Sequence, residues 1–576
     1  MGYTLNRGWG SWLLAVLCIL PVGVANANEP SSPADLGAQE FIRQQERERR
    51  LREQQEPQPN VQLEVPAIRE RRSIPVDETP CFEIDRILLV GDDAEAFLWA
   101  LRAADLPGDP ATGRCLGAEG ISLVMSRVQN AVIARGYITT RVLAAPQDLT
   151  QGTLTLTLLP GRVNEIRPAP GTTARAPLRN ALPMAPGDLL NLRDLEQGLE
   201  NLKRLPSADA DIQVAPVSGL DARPGQSDLL VLYEQRLPWR VSLSVDDSGS
   251  RSTGKYQGSG TLAYDNLLNL NDLMYVSFNH DLGGGDSGKR GSRGHTFHYS
   301  LPYGYWLLSA THSNGRYYQS VAGLNQTYIY SGRNRQSELK LSRLLWRNAT
   351  NKFSGHVRGF HRQARNYIDD TEVEVQRRVT SGWEMGLHHR MYLGNAALDA
   401  GLNYRRGTGA LGALPAPEEA FGEGTSRFKI VNADFNLAVP LQLGSRPLRY
   451  NLSGRLQVDR SPLSPQERFA IGGRYTVRGF DGESSLTGER GLLLRNELGV
   501  ALSGGRQELY TGLDFGRVDG PSADYLVSRN LAGAAMGLRG AWLGVRYDIF
   551  AGVPLYKPDK FDTAGSTAGF NLNYAF

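Results

Sequence analysis

The sequence predicts an all-β transmembrane barrel, preceded by two small α/β domains, a polar helix and a secretory signal. Three observations carry this: strict two-residue alternation through the C-terminal half, a strand–helix–strand–strand order that occurs twice before it, and a single short apolar run at the N-terminus. The chain of 576 residues is long enough for several domains. Lys+Arg 63 against Asp+Glu 60 leaves a net charge of +3, so no field covers the whole chain that would favour nucleic acid, and no acidic excess marks it as disordered. Gly 64 with only Cys 3 suits many strands joined by tight turns, and does not suit a disulfide-built miniature fold.

The first element is a signal peptide at 1–27. Arg7 supplies the positive region, Trp12 to Val24 is apolar, and Ala25-Asn26-Ala27 supplies small residues for cleavage after Ala27. An apolar run of about 13 residues falls short of the ~20 that a membrane helix needs. Cys18 follows Leu17, where lipidation calls for a small residue, so it is not read as a lipid anchor. Removing the signal leaves Cys81 and Cys115. In an oxidising compartment this pair favours a disulfide worth roughly 3–4 kcal/mol, the alternative being two buried thiols.

Residues 28–57 hold the next element. From Asp35 to Glu56 the chain lacks Pro, has Ile42 as its one β-branched residue, and pairs Glu with Arg at spacings of three and four, which predicts a helix. It has no apolar face for docking on a core, so it belongs in water or in a polar cavity. A linker follows at 58–80, stiffened by Pro57 at its start and by Pro59, Pro66 and Pro75.

The α/β domains are expected at 81–160 and 161–236. In the first, Phe82–Val90 reads as a strand, Ala94–Ala104 and Ser122–Arg135 as helices, and Gly136–Val142 and Thr153–Leu159 as strands. The second repeats the order with Val163–Ile166, a helix over Leu192–Lys203, then Asp211–Val214 and Asp228–Tyr233. Small sheets of this kind leave edges on which an extended chain can add as a further strand.

The barrel is expected at 237–576. In Leu448–Asp459 apolar or small residues take the even positions, while Arg449, Asn451, Ser453, Arg455, Gln457 and Asp459 take the odd ones. The same period runs through Val241/Leu243/Val245, Met274/Val276/Phe278, Phe297/Tyr299/Leu301 and Phe435/Leu437/Val439. A soluble sandwich alternates too, but the number of such segments and the charges persisting on one face favour a membrane barrel. Open edges in lipid leave backbone groups unpaired, so the sheet must close. Roughly 340 residues at ~10 per strand plus turns and loops give about 16 strands, enough to enclose an aqueous lumen. The polar helix finds a home there.

Val477-Arg478-Gly479-Phe480, set between two predicted strands, resembles the signature loop of the outer-membrane translocation and assembly superfamily whose periplasmic modules are POTRA domains. Gly512-Leu513-Asp514-Phe515-Gly516 resembles its barrel-wall motif, with Arg478 and Asp514 as the paired charges. Gly136–Arg141, Pro146-Gln147-Asp148-Leu149 and Leu158–Val163 resemble the POTRA region of two-partner secretion transporters, the exporters of filamentous haemagglutinin, haemolysins and contact-dependent toxins. The resemblance implies a 16-stranded barrel with two POTRA domains and an N-terminal plug helix. It implies an outer-membrane location with the POTRA domains in the periplasm, and export of a large partner exoprotein: an adhesin, a haemolysin or a contact-dependent toxin. The alternative is an outer-membrane assembly and insertion factor of the same superfamily, although such insertases typically carry five modules and no plug. The expected partners are the exoprotein, lipid and the barrel-assembly machinery, with no nucleic acid, no cofactor and a monomeric state.

Physical chemistry gives the motif a role. An arginine folded back into the barrel keeps its charge, and a carboxylate on the wall orients it bidentately. Gly479 permits a backbone conformation or an approach that a side chain forbids. Phe570, Leu572, Tyr574 and Phe576 share a face of the last strand and resemble the signal read by the barrel-assembly machinery; they also suit an aromatic girdle. Enzymatic readings find no footing. Gly283–Lys289 fits the start of a phosphate loop, but Arg290 replaces the required Ser/Thr and strands flank it on both sides. His388 and His389 face opposite sides of a strand and share no metal easily. A passive porin needs no periplasmic modules, and an outer-membrane esterase needs a nucleophile and base that are not found.

Overall fold

Sixteen antiparallel strands close into a barrel in the computed structural model, which describes residues 33–64, 73–217 and 222–576. The signal peptide expected at 1–27 lies outside the described residues, as does the middle of the linker. The barrel runs from Trp239–Asp246 to Thr567–Ala575. These two strands pair with each other, Leu572 opposite Val245 and Tyr574 opposite Leu243. Phe576 completes the seam by exchanging two backbone hydrogen bonds of 3.0 Å with Val241.

Alternation decides what each face meets. In Arg446–Asp459, Gln457 is buried and Arg455 reaches inward, whereas Leu456 on the other face is 44% exposed. Phe278, Leu339, Met385, Leu513 and Met536 are likewise exposed on the outside. This is the reverse of a soluble core, and it gives hydrocarbon an apolar surface while leaving the interior to water. No helix among the described residues is long and apolar enough to cross a membrane.

Before the barrel stand two three-stranded sheets, ordered Arg86–Val90, Thr153–Leu159, Arg141–Leu143 and Arg162–Pro168, Gln226–Gln235, Ala208–Pro216. In each, the last strand in sequence lies in the centre, parallel to the first and antiparallel to the one before it. Three local expectations are corrected. The strand expected over Phe82–Val90 breaks at Asp85: Phe82–Ile84 pairs with Arg114–Leu116, and Arg86–Val90 enters the main sheet. The backbone N–H groups of both Asp85 and Arg86 donate to the Gly152 carbonyl, at 2.7 and 3.2 Å, which turns the chain there. The strand expected over Gly136–Val142 shrinks to Arg141–Leu143, because the N–H groups of Gly136 and Tyr137 donate back to Ile133 and Val132 at the end of the preceding helix, at 2.8 and 3.4 Å. The helix expected from Ser122 begins at Ala118, where the Glu78 carboxylate accepts from the N–H groups of Gly117, Glu119 and Gly120 at 2.8–3.0 Å.

Cys81, three residues beyond Glu78 and just before the strand Phe82–Ile84, and Cys115, on its partner strand, have Cα atoms 5.2 Å apart and are joined as a disulfide. Nearby, a hydrogen bond from Arg127 holds the Asp109 carboxyl below its ordinary pKa.

Candidate functional site

The site is built from a loop folded inward and a helix that occupies the lumen beside it. The loop leaves the barrel wall after Arg446–Asp459 and returns at Arg490–Leu502; within it a short hairpin, Phe469–Ile471 with Leu486–Gly488, closes the base. Val477 and Phe480 anchor it, buried with Ile471, Leu486, Val518 and Leu531, and Phe480 meets the Phe561 ring edge-on at 5.8 Å. These apolar anchors fix the backbone on either side of Arg478.

Arg478 and Asp514 are both buried, 5% and 4% exposed. The Arg478 Nε and Nη2 donate to the two Asp514 carboxylate oxygens at 2.7 and 2.8 Å, and the Arg478 backbone N–H donates to the same carboxylate at 2.9 Å. Such a fork sets both position and orientation. Gly479 has φ +100, and its Cα lies 2.9 Å from where a Cβ on Gly552 would stand. A side chain at Gly512 would strike the Arg478 guanidinium, and one at Gly516 would meet Val477 at 2.8 Å. The two motif glycines are therefore a floor that lets the loop lie directly on the wall.

Sequence reasoning missed part of this arrangement. Glu497 takes Arg478 Nη1 at 2.5 Å and Arg539 at 2.6 Å, and Arg539 continues to Glu508 at 2.5 Å. Gly533 and Gly552 extend the floor, a side chain at Gly533 being blocked by the Arg478 carbonyl. All lie on the lumen-facing alternation, which is readable. Their convergence needs the register, in which Glu497 falls opposite Gly512, and Gly533 opposite Asp514.

The helix Pro33–Gln55, α1, spans the lumen. Glu46 pairs with Arg455 at 2.8 Å and Arg52 with Glu338, both partners being inward-facing wall residues, while Glu40 accepts from Thr253 at 2.9 Å. Two contacts reach the inward loop: Arg43 donates to the Gly482 carbonyl at 2.8 Å, and the Arg50 guanidinium lies 3.7 Å from the Tyr475 ring centroid. Beyond α1 the linker crosses the second α/β domain, where Glu196 and Glu200 accept from the N–H groups of Leu63 and Val61, each at 2.9 Å. Arg347, on the barrel rim, pairs with the same two carboxylates at 3.0 and 3.1 Å.

The remaining predicted residues lie apart from this site. Phe570, Leu572, Tyr574 and Phe576 are on the closing strand and its end, with Leu572, Tyr574 and Phe576 exposed on the outside. The glycine-rich Gly283–Lys289 forms the turn between two strands, Leu273–Asp281 and Arg290–Tyr303. His388 lies 3.5 Å from Asp399, whereas His389 bonds Asn351 at 2.9 Å across the other face.

Residues 225–540 match the family of haemolysin secretion/activation proteins ShlB/FhaC/HecB, and the region before them matches POTRA domains, ShlB-type over 84–161 and a second over 162–216. The chain belongs to the ShlB/FhaC/HecB family. A ShlB/FhaC/HecB protein with this architecture is an outer-membrane transporter of two-partner secretion in Gram-negative bacteria, with its POTRA domains in the periplasm. Among relatives of this ShlB/FhaC/HecB member, the outer membrane transporter CdiB-2 of Burkholderia pseudomallei is 39% identical over 97% of this chain and 99% of that protein. The haemolysin transporter ShlB of Serratia marcescens is 26% identical over 74% of each. The solved structure of CdiB from Acinetobacter baumannii superimposes with a TM-score of 0.83 at 31% identity, covering 96% of this chain and all of the other.

Proposed function

We propose that this transporter carries one large exoprotein of the contact-dependent class outward through its own lumen. The POTRA domains take up the unfolded N-terminal region of the client, α1 leaves the lumen, and the client threads out in extended form. Folding on the far side drives the passage, since the periplasm supplies no nucleotide. The Arg478–Asp514 pair holds the inward loop in the pose that engages the client. The transporter acts as a monomer, and its terminal strand is the signal by which the barrel-assembly machinery inserts it.

The observation that carries this reading is how α1 is held. Most of its contacts to wall and loop are ion pairs and hydrogen bonds such as Glu46–Arg455 and Arg43 to Gly482, with Phe41, buried near Arg362, and Leu51, packed beside Leu273 and Tyr275, as its larger apolar contacts. Desolvation offsets much of the attraction in buried pairs such as Arg52–Glu338, so a helix held mainly by polar contacts can exchange for a client that supplies polar contacts of its own. The client class rests on the relatives named CdiB, more similar to this chain than the haemolysin transporter is.

Deleting residues 35–56 is expected to raise single-channel conductance in planar bilayers severalfold; unchanged conductance removes α1 from the conducting path. Depleting the protein is expected to retain one exoprotein in the periplasm and leave other outer-membrane proteins at normal levels. A general loss of outer-membrane proteins would favour an insertase instead.

A further inference from the structure

The outer wall carries a row of arginines without ion-pair partners, of which only Arg365 feels a nearby carboxylate, that of Glu372. Arg293, Arg316, Arg333 and Arg365 sit on four successive strands, and each is the direct cross-strand partner of the next. All four are exposed and point away from the lumen. Like charges directly opposite one another destabilise a sheet. Among the described residues none of the four makes an ion pair; Arg333 has only the Tyr367 ring, at 5.6 Å. Inward-facing arginines behave differently: Arg358, Arg362 and Arg455 each meet a carboxylate at 2.6–3.0 Å. The next row down is polar as well, with His295, Asn314, Arg335 and Gln363 in register.

The height of this row follows from the hairpin that joins two of its strands. The Asn201 side chain of the second POTRA domain donates to the Gly304 carbonyl at 2.7 Å, which marks the Tyr303–Trp306 end as periplasmic. Arg293 and Arg316 lie about ten residues above it, ~33 Å along the strand and ~25 Å in height at the usual tilt, where the apolar band of a barrel ends on the outer side. Beside them a hollow on the outer face is lined by Phe278, Leu282, His280, His295, Arg293 and Arg316. Gly258 and Gly260 floor it, with no side chain to fill the space.

We propose that this face is a binding site for a phosphorylated, acylated glycolipid of the outer leaflet, with its phosphates on the arginine row and an acyl chain in the hollow. Arginine forks match phosphate oxygens bidentately, and a phosphate bridging two neighbouring arginines converts their repulsion into attraction. The combination of cations without ion-pair partners above apolar lining suits an amphiphile and suits neither a free anion nor a neutral lipid.

The test uses the full-length protein in detergent micelles, with lipid A, dephosphorylated lipid A, phosphatidylglycerol and inorganic phosphate as probes, read by native mass spectrometry. Wild type is expected to retain lipid A at least about tenfold more strongly than the other three, and R316Q/R333Q is expected to lose that preference while still migrating as a heat-modifiable barrel. R343Q, an outward arginine near the periplasmic end that stacks on Trp306, is expected to bind as wild type does. Should the double variant fail to assemble, protection of wild-type Arg316 and Arg333 from phenylglyoxal by lipid A decides the matter. Equal binding of dephosphorylated lipid A, or no protection, overturns the proposal. So does undiminished lipid A binding by R316Q/R333Q, which would leave the row to the exported chain.

Discussion

Arg478 is the residue on which the inward loop turns, because three of its N–H groups converge on one carboxylate. Removing Asp514 leaves Arg478 with Glu497, and removing Arg478 leaves Asp514 with Arg495 at 3.6 Å, so either loss falls below the ~3–5 kcal/mol of a fully orphaned buried charge. Arg478→Ala is therefore expected to lower secretion of the partner at least about tenfold while the barrel still assembles. Asp514→Asn keeps an acceptor for the Arg478 backbone N–H but loses the charge, so its defect is expected to be milder than that of Asp514→Ala. Client released to the medium, normalised to assembled barrel, measures both. Full secretion by Arg478→Ala would show that the loop is held by its apolar anchors Val477 and Phe480 alone.

At the scale of elements, the helix Ala118–Ala134 shows how a terminus is fixed by a residue distant in sequence. Gly117 precedes it and supplies no capping side chain; Glu78 does so from 39 positions away. Charge-assisted bonds to free N–H groups at a helix start are worth about 1.5–3 kcal/mol together with the favourable dipole. Glu78→Ala is expected to speed amide exchange over residues 118–122 by about tenfold or more, with exchange in Leu192–Leu202 unchanged. Exchange as slow as in wild type would mean that the disulfide alone orders this end. α1 illustrates the opposite case: its polarity is plain in the sequence, but the burial of Phe41 and Leu51 and its register against the wall are visible only in the fold, where Glu46 meets Arg455 and Arg43 meets Gly482.

For the whole molecule, closure is the governing event. An open sheet of this length leaves two edges of unpaired backbone groups in hydrocarbon, each group costing several kcal/mol. The closing strand supplies the missing partners, and Phe576 is bonded on both backbone groups to Val241. Deleting residues 567–576 is expected to abolish the heat-modifiable form on gels and leave the protein degraded or aggregated. A truncated chain that still migrates as a folded barrel would show that the penultimate strand can close the cylinder.

Alternation along each strand depends on covalent geometry alone, since successive side chains leave a strand on opposite faces. Hence the barrel, its approximate strand number, the polarity of its lumen and the helix that suits it were all legible from residue order, as were Arg478, Asp514 and the two glycines flanking Asp514. Convergence was not legible, because it depends on register and on contacts between distant segments. Glu497, Arg539, Gly533 and Gly552 join the site only once four strands are aligned. For the same reason Glu78 reaches its helix, and four arginines from different strands line up on one outer face, only in the folded molecule. Local stereochemistry is written into a chain residue by residue, whereas the meeting of charges across strands is set by the cooperative closure of the whole sheet.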